Sequence, residues 1–407
     1  MRIIIIYIAV CMMILIACEV NITSPIIPYD LITETLSGGD KLNDAELSRL
    51  NGIYKLNGAN SDFGDFAVIK SSQNSISMFF KKNASFVVAD ARRFNKEIVI
   101  AGYWRFAQGG TCGFIKLVLD SANTNKLLSN SNLTDLKFSG QYDLDGNKSI
   151  DFQFDRAIKK DEFTIIGHRG GGRNSDRHPA SENSLEMIAY SEKLGANAVE
   201  IDVQYTSDGV PILFHDIYMS KRLVREEYFI GEVSDYSFKQ LRAFCTLKNG
   251  EKIPTLDEAL EFIIDSTTHK LVWLDVKGSN SIAKINQLQA KYAAIAKSKN
   301  RNLEILIGIP TIDLYNELIS LPNYKDIPTI CELDENYVTS ANSLAWGPRW
   351  SLGLLTERVT NIHAQQKRVY VWTLDEPQFI RRFLDKSYFD GILTNYPTVV
   401  AYEYYTN

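Results

Sequence analysis

A (β/α)8 barrel preceded by a smaller all-β domain is the architecture the sequence predicts. Three observations predict it. From Phe163 onward, short apolar runs alternate with helix-patterned stretches for about 240 residues, the span of one such barrel. From Leu50 to Ile158, apolar or alternating runs are instead separated by Asn, Gly and Ser clusters, with no helical rhythm. The chain of 407 residues is too long for one ordinary domain and comfortable for two. A 45% hydrophobic, 23% charged composition suits a folded protein, and a net charge of −5 gives no reason to expect nucleic acid as a partner.

The first element is a leader. Arg2 is followed by 15 apolar residues, Ile3–Ala17, short for a membrane span and right for a signal core. It ends in Leu15-Ile16-Ala17-Cys18, which resembles the lipobox of bacterial lipoproteins. The resemblance implies cleavage before Cys18, lipid on its sulfur, and a lipid-anchored place in a bacterial cell envelope, periplasmic or surface-facing. Residues 1–18 are thus read as signal, 19–49 as a tether with Pro25 and Pro28, 50–160 as the β-domain and 161–407 as the barrel. Outside the leader, Cys112, Cys245 and Cys331 show no zinc-type pairing, and their spacing selects no disulfide.

Within the β-domain, the stretches Asp65–Lys81, Lys96–Ala107, Cys112–Asp120 and Asp135–Asp155 predict a sandwich or small barrel. "DLDGN" at Asp143–Asn147 starts like a calcium loop, but Lys148 and Phe154 occupy positions that loop gives to Gly and Glu, so a hairpin is expected. Tyr103, Trp104 and Phe106 are read as core, with a ligand-binding surface as the alternative, and the domain is expected to be a spacer or to recognise a polymer or partner.

Eight strands are expected in the barrel: "FTIIGH", "AVEIDVQY", "VPILFH", "KLVWLDVK", "LEILIGI", "TICEL", "RVYVWTL" and "GILTN". "SLAWGP" at Ser343–Pro348 is a ninth candidate, assigned to a loop. Reactive groups of such barrels sit at the C-terminal ends of the strands. His168-Arg169 ends the first. Glu200 and Asp202 share one face of the second, because strand side chains alternate. His215 ends the third, Asp275 and Lys277 share a face of the fourth, Trp372 and Thr373 end the seventh, and Thr394-Asn395 the eighth.

Three carboxylates gathered at one mouth repel one another and call for a cation. An all-oxygen set suits a hard divalent ion, Ca²⁺ or Mg²⁺. The two histidines suit proton transfer, and Arg169 and Lys277 place positive charge where an anion would lie. Together these groups read as phosphate-ester chemistry.

The same residues resemble the glycerophosphodiester phosphodiesterase family over about Phe163–Val400. "GHRGGG" is similar to its opening His-Arg-Gly, and "SENSLEMIAYSEKLGANAVEIDVQYTSDGVPILFHD" to its Glu-Asn helix, Glu-x-Asp strand and His-Asp ending. "IPTLDEAL", "VYVWTL" and "DGILTNYP" are similar to later motifs. The resemblance implies a TIM barrel with one divalent cation on Glu200, Asp202 and Asp275, His168 and His215 as acid–base pair, Arg169 and Lys277 at the phosphate, and Trp372 in the substrate pocket. It implies a small glycerophosphodiester as substrate, split into glycerol 3-phosphate and an alcohol.

Three departures stand out. Asp275 replaces a usual Glu, and Asn395 replaces a common Asp. The loop Gly170–Pro179 is longer than usual, and its His178, Arg173 and Arg177 are expected near the entrance, where a head group would meet them. The alternatives are a barrel phospholipase acting on intact phosphatidylinositol- or sphingomyelin-type lipids, which apolar loops at the mouth would favour, and a binding lipoprotein without turnover.

Overall fold

The computed structural model describes residues 25–72, 74–107, 109–129, 132–159, 162–278 and 282–407. The leader and Cys18 lie outside the described residues. No helix among those described is long and apolar enough to cross a membrane.

The β-domain is a barrel. Strands β2 (Gly52–Asn57), β3 (Phe66–Ser72), β4 (Ser75–Phe80), β5 (Ser85–Phe94), β6 (Glu97–Phe106), β7 (Cys112–Leu119), β8 (Lys137–Asp143) and β9 (Asn147–Arg156) each pair with their sequence neighbours. β9 returns to β2, and a short β1 (Asp40–Lys41) joins the edge of β5. Eight strands enclose an interior that side chains fill. Ile76, Met78, Phe80, Trp104, Leu117 and Phe152 belong to that apolar core, so the interior is packed solid. Tyr103 and Trp104 are buried and Phe106 packs against the core, as expected. The β8–β9 hairpin turns through Asp145 and Gly146, both at positive φ, so "DLDGN" is a turn.

Residues read as tether fold differently. Helices cover Tyr29–Leu36 and Asp44–Ser48, the second closed by an Asn43–Glu46 capping box. Leu42, Leu47 and Leu50 enter the β-domain core.

The second domain closes eight parallel strands: β10 (Thr164–Gly167), β11 (Ala198–Tyr205), β13 (Leu271–Val276), β14 (Glu304–Ile309), β15 (Thr329–Cys331), β16 (Ala345–Trp346), β17 (Arg368–Val371) and β18 (Gly391–Thr394). One expectation is corrected. "VPILFH" is no barrel strand: its β12 (Pro211–Leu213) pairs antiparallel with β11. Five residues, Thr206–Val210, separate β11 from β12, and a parallel crossover needs a dozen or more. "SLAWGP" supplies the missing strand, β16, between β15 and β17. His215 therefore follows a hairpin, and Asp275 lies on the third barrel strand with Lys277 just past its end.

The domains share a core. In β4, alternate residues face opposite ways. Ile76, Met78 and Phe80 fill the β-barrel, while Phe79 packs outward with Val399 and Ala401 of the terminal helix Pro397–Thr406. That helix is buried almost all round, as one wedged between two domains must be. Ser77 Oγ donates to Lys193 O (2.7 Å), and Tyr103 and Tyr190 join hydroxyls across the seam.

The long loop after β10 is part of this seam. Arg105, 1% exposed, donates to Asp176 O, and His178 is buried beside Tyr190. Arg173 is paired with Asp176 (2.9 Å). His178 and Arg173 are thus committed to packing and pairing, contrary to their expected place at the entrance. Arg177 reaches toward Gly110 of the β-domain. The added residues dock one domain on the other.

Candidate active site

Register gathers the acids. β11 pairs with β13 so that Asp202 lies opposite Asp275 and Glu200 opposite Trp273. Glu200 and Asp202 point the same way by strand alternation. One oxygen from each of Glu200, Asp202 and Asp275 lies within 4.8 Å of the others. Glu200 and Asp275 line a cavity of about 970 Å³ that also exposes His168, Arg169, His215, Lys277 and Trp372. Every predicted site residue thus reaches one region, and only Asp202 sits fully behind its wall.

Each member has a holder. Asn183 Nδ2 donates to Asp202 Oδ2 (2.8 Å), and Asp202 N donates back to Asn183 Oδ1 (3.1 Å). Glu200 Oε2 accepts from the Arg169 backbone N–H (2.8 Å), while Glu200 Oε1 is buried without a hydrogen-bond partner among the described residues. Arg169 adopts left-handed backbone (φ 54) to make that bond. The chain continues through Gly171 at φ 148, where a Cβ would stand 2.6 Å from Met187 Cε, so the turn needs glycine.

Charge in the cluster is unbalanced. Lys277 Nζ lies 3.0 Å from Asp202 Oδ1 and pairs with Asp275. One ammonium faces three carboxyls. Burial, then the charges of Asp202 and Asp275, push the Glu200 carboxyl well above its ordinary range. Burial pushes Asp275 up as well, Lys277 only partly offsetting it. Asp202 also feels burial, but Lys277 and the two histidines outweigh it and hold it low. An orphaned buried oxygen and a surplus of negative charge fit a hard divalent cation.

The histidines are oriented by different partners. His215 Nδ1 donates to Asp216 Oδ1 (2.7 Å), and its Nε2 accepts from Arg169 Nη2 (2.7 Å). Burial raises Asp216, but its bonds to Arg222 and His215 prevail and keep it below the usual carboxylate range. His168 Nδ1 donates to Asn395 Oδ1 (2.7 Å), leaving Nε2 3.8 Å from Glu200 Oε2. Asn395 Nδ2 donates to Asp375 Oδ2 (2.7 Å), which also anchors the Asn395 backbone through Oδ1 (2.8 Å). Burial, then Arg169, lowers His168 to about 4. The Asp-to-Asn departure thus gives His168 a neutral acceptor and moves the carboxylate one residue further out.

Several residues escaped the sequence reading. Glu182, 1% exposed, accepts from Arg169 Nη1 (2.8 Å) and Arg222 Nη1 (2.9 Å), aiming the first into the cavity. Glu182 and Asn183 are the Glu-Asn of the quoted motif, which gave the signal without the roles. Glu332, from the end of β15, lines the cavity, and burial and then Asp275 push its carboxyl well up. Nothing in "TICEL" marked it. Arg349 lies over the Trp372 ring (5.0 Å), whose Nε1 donates to Gly347 O (2.7 Å). Cys112, Cys245 and Cys331 are free thiols. His269 is buried beside Ser191, and His363 pairs with Asp390, both away from the site.

This chain is similar to known proteins. Human glycerophosphodiester phosphodiesterase 1 is 37% identical over 128 residues, covering 29% of this chain and 35% of that protein. The chain thus spans about a third of the length of the first curated relatives it matches. A glycerophosphodiester phosphodiesterase of Caldanaerobacter subterraneus is 26% identical over 239 residues, covering 57% of this chain and 94% of that one. A solved glycerophosphodiester phosphodiesterase from Parabacteroides distasonis superposes with a TM-score of 0.48 at 19% identity, over 61% of this chain and 99% of that one. The family model described as glycerophosphoryl diester phosphodiesterase matches residues 168–399, more than half of the sequence and all of the cavity's strands beyond β10. By that match the chain belongs to the glycerophosphoryl diester phosphodiesterase family.

Proposed function

We propose that this protein hydrolyses glycerophosphodiesters to glycerol 3-phosphate and an alcohol, using one divalent cation, Ca²⁺ or Mg²⁺, held by Glu200, Asp202 and Asp275. The observation that carries the reading is the convergence of those three carboxylates within 4.8 Å beside two separately oriented histidines. Bound there, the cation supplies positive charge at the phosphoryl group and makes a nearby hydroxyl more acidic.

The chain's own groups supply the rest. Arg169 and Lys277 offer N–H donors to the phosphate oxygens. In the proposed sequence the glycerol 2-hydroxyl attacks phosphorus, the bond to the alcohol breaks, and water opens the cyclic ester. His168, with Nδ1 fixed by a neutral amide, presents Nε2 as proton acceptor. Asp216 accepts from His215 Nδ1, which leaves Nε2 to carry a proton to the departing alcohol once Arg169 turns from it to the phosphate. Trp372 and Arg349 wall the side of the cavity where that alcohol would lie. Glycerol 3-phosphate release from a glycerophosphodiester, lost in chelator and restored by Ca²⁺ or Mg²⁺, is the expected result. Absence of release under all metal conditions would sink the reading.

Asp275 is the exposed edge of the set, its side chain 23% exposed while those of Glu200 and Asp202 are buried. Asp275→Asn is expected to weaken the metal by at least about 10-fold, the least that loss of a supporting partner costs, read as a higher metal concentration for half-maximal activity. Unchanged metal dependence would mean that a neighbour closes the site, and Glu332 is the candidate.

We further propose that Cys18 carries lipid and holds the protein in a bacterial envelope. Cys18→Ser is expected to abolish labelling by a palmitate analogue in cells. Labelling that persists would refute the anchor.

A further inference from the structure

The insert between His215 and the helix Leu256–Ser266 has its own small core, built on Leu223, Val224, Phe229, Val233 and Leu241. It nevertheless leaves five large apolar side chains in water: Ile217 (57% exposed), Tyr218 (59%), Tyr228 (66%), Ile230 (78%) and Phe244 (64%). Backbone and hydroxyl contacts bring the segments that carry them together. Tyr228 OH donates to Phe244 O (2.8 Å), Tyr236 OH donates to Ile230 O (2.6 Å), and Tyr218 bridges Glu232. Ile217 lines the catalytic cavity, so the patch runs into its mouth. Contiguous exposed apolar surface of this kind marks an interaction site.

The place where the described chain begins says what covers it. Ile26 O accepts from Cys112 Sγ (3.2 Å), Cys112 lies opposite Arg105 in register, and Arg105 clasps Asp176. The loop containing Asp176 holds the insert: Asn174 Nδ2 donates to Arg222 O (2.8 Å) and Asn249 Nδ2 to His178 O (3.1 Å). Ile26 is therefore linked through Cys112 and Arg105 to the loop that carries Asp176 and, through that loop, to the insert. Eight residue steps from Cys18 to Ile26 reach at most about 28 Å. A lipid on Cys18 would hold these segments close to the bilayer.

We propose that the rim formed by Tyr218, Tyr228, Ile230 and Phe244 is a bilayer-docking surface, seated at the headgroup level so that the catalytic cavity opens onto the membrane. The inference rests on the Cys18 anchor and on the phosphodiesterase reading for what the cavity does. Tyrosines suit that depth because ring and hydroxyl prefer different sides of the interface.

The test uses the full lipidated chain in vesicles of phosphatidylethanolamine and phosphatidylglycerol, in a Cys112→Ser background. An environment-sensitive fluorophore is placed through Ile230→Cys, and a control through Tyr388→Cys, which is exposed and precedes β18 at the opposite end of the barrel. The expected result is blue-shifted emission at position 230, strongly quenched by lipid-borne nitroxide, with position 388 remaining aqueous. Equal aqueous behaviour at both positions would overturn the proposal. So would a dimer that dissolves in the Tyr228→Ser/Ile230→Ser/Phe244→Ser variant, because the rim would then bind a second copy. That variant is expected to keep its turnover of a water-soluble glycerophosphodiester while losing vesicle contact. If the wild-type chain fails on the soluble substrate, the phosphodiesterase reading falls, and the quenching result still decides the rim.

Discussion

His215→Ala is expected to lower kcat/KM for a glycerophosphodiester by about 10²- to 10⁴-fold, the range carried by a positioned general acid or base. The same is expected of His168→Ala. Both rings are held by one side-chain bond at Nδ1, to Asp216 and to Asn395, and both present Nε2 toward the acidic cluster or its arginine. Neither ring belongs to the apolar cores, so the melting temperature is expected to change little. Full activity in either variant would remove that histidine from proton transfer. Lost activity accompanied by unfolding would point to a packing role instead. The two variants should also differ. The leaving-group step depends on His215, so a substrate with a more acidic alcohol is expected to recover part of the loss in His215→Ala and none in His168→Ala.

The second large effect is expected from Glu200→Gln. Glu200 is buried, keeps one oxygen unpartnered, and is pushed toward its neutral form by burial and two neighbouring acids. Removing its charge should cost more than about 100-fold in divalent-metal affinity, beyond what loss of a mere supporting partner costs. The stripped protein should respond in the opposite direction. A carboxyl whose pKa is raised on folding favours the folded state at low pH, and that advantage is lost as pH rises above the ordinary value of 4.5 toward the folded one. In chelator, wild-type stability should therefore fall with rising pH more steeply than that of Glu200→Gln. The variant should then melt higher than wild type near neutral pH while binding metal worse. Equal melting curves in chelator would show that the cluster is already neutralised by Lys277.

Much of this site was legible because its logic is local. Alternation along one strand puts Glu200 and Asp202 together, and the barrel rule puts strand ends at one mouth. The misassigned strand was legible too: five residues cannot make a parallel crossover, whereas "VPILFH" is more apolar than "SLAWGP" and drew the assignment. β16 pairs through only two residues, too few to leave a periodic signal. The rest depends on contacts between distant segments. The charged loop Gly170–Pro179 looks like an entrance loop until Arg105 of the other domain is seen to bind it. Residues 29–50 look like linker because their buried leucines are sparse and their helices short. Glu332 and Asp375 acquire meaning only from the neighbours that folding brings to them.

The most direct measurement is a calorimetric titration of the chelator-stripped full chain with Ca²⁺ and with Mg²⁺, beside Asp202→Asn, whose buried side chain keeps its shape and loses its charge. The account predicts one ion per wild-type chain, saturating in step with the return of glycerol 3-phosphate release, and no measurable binding in the variant. Equal binding by the variant, or full turnover by wild type with no ion bound, would contradict it.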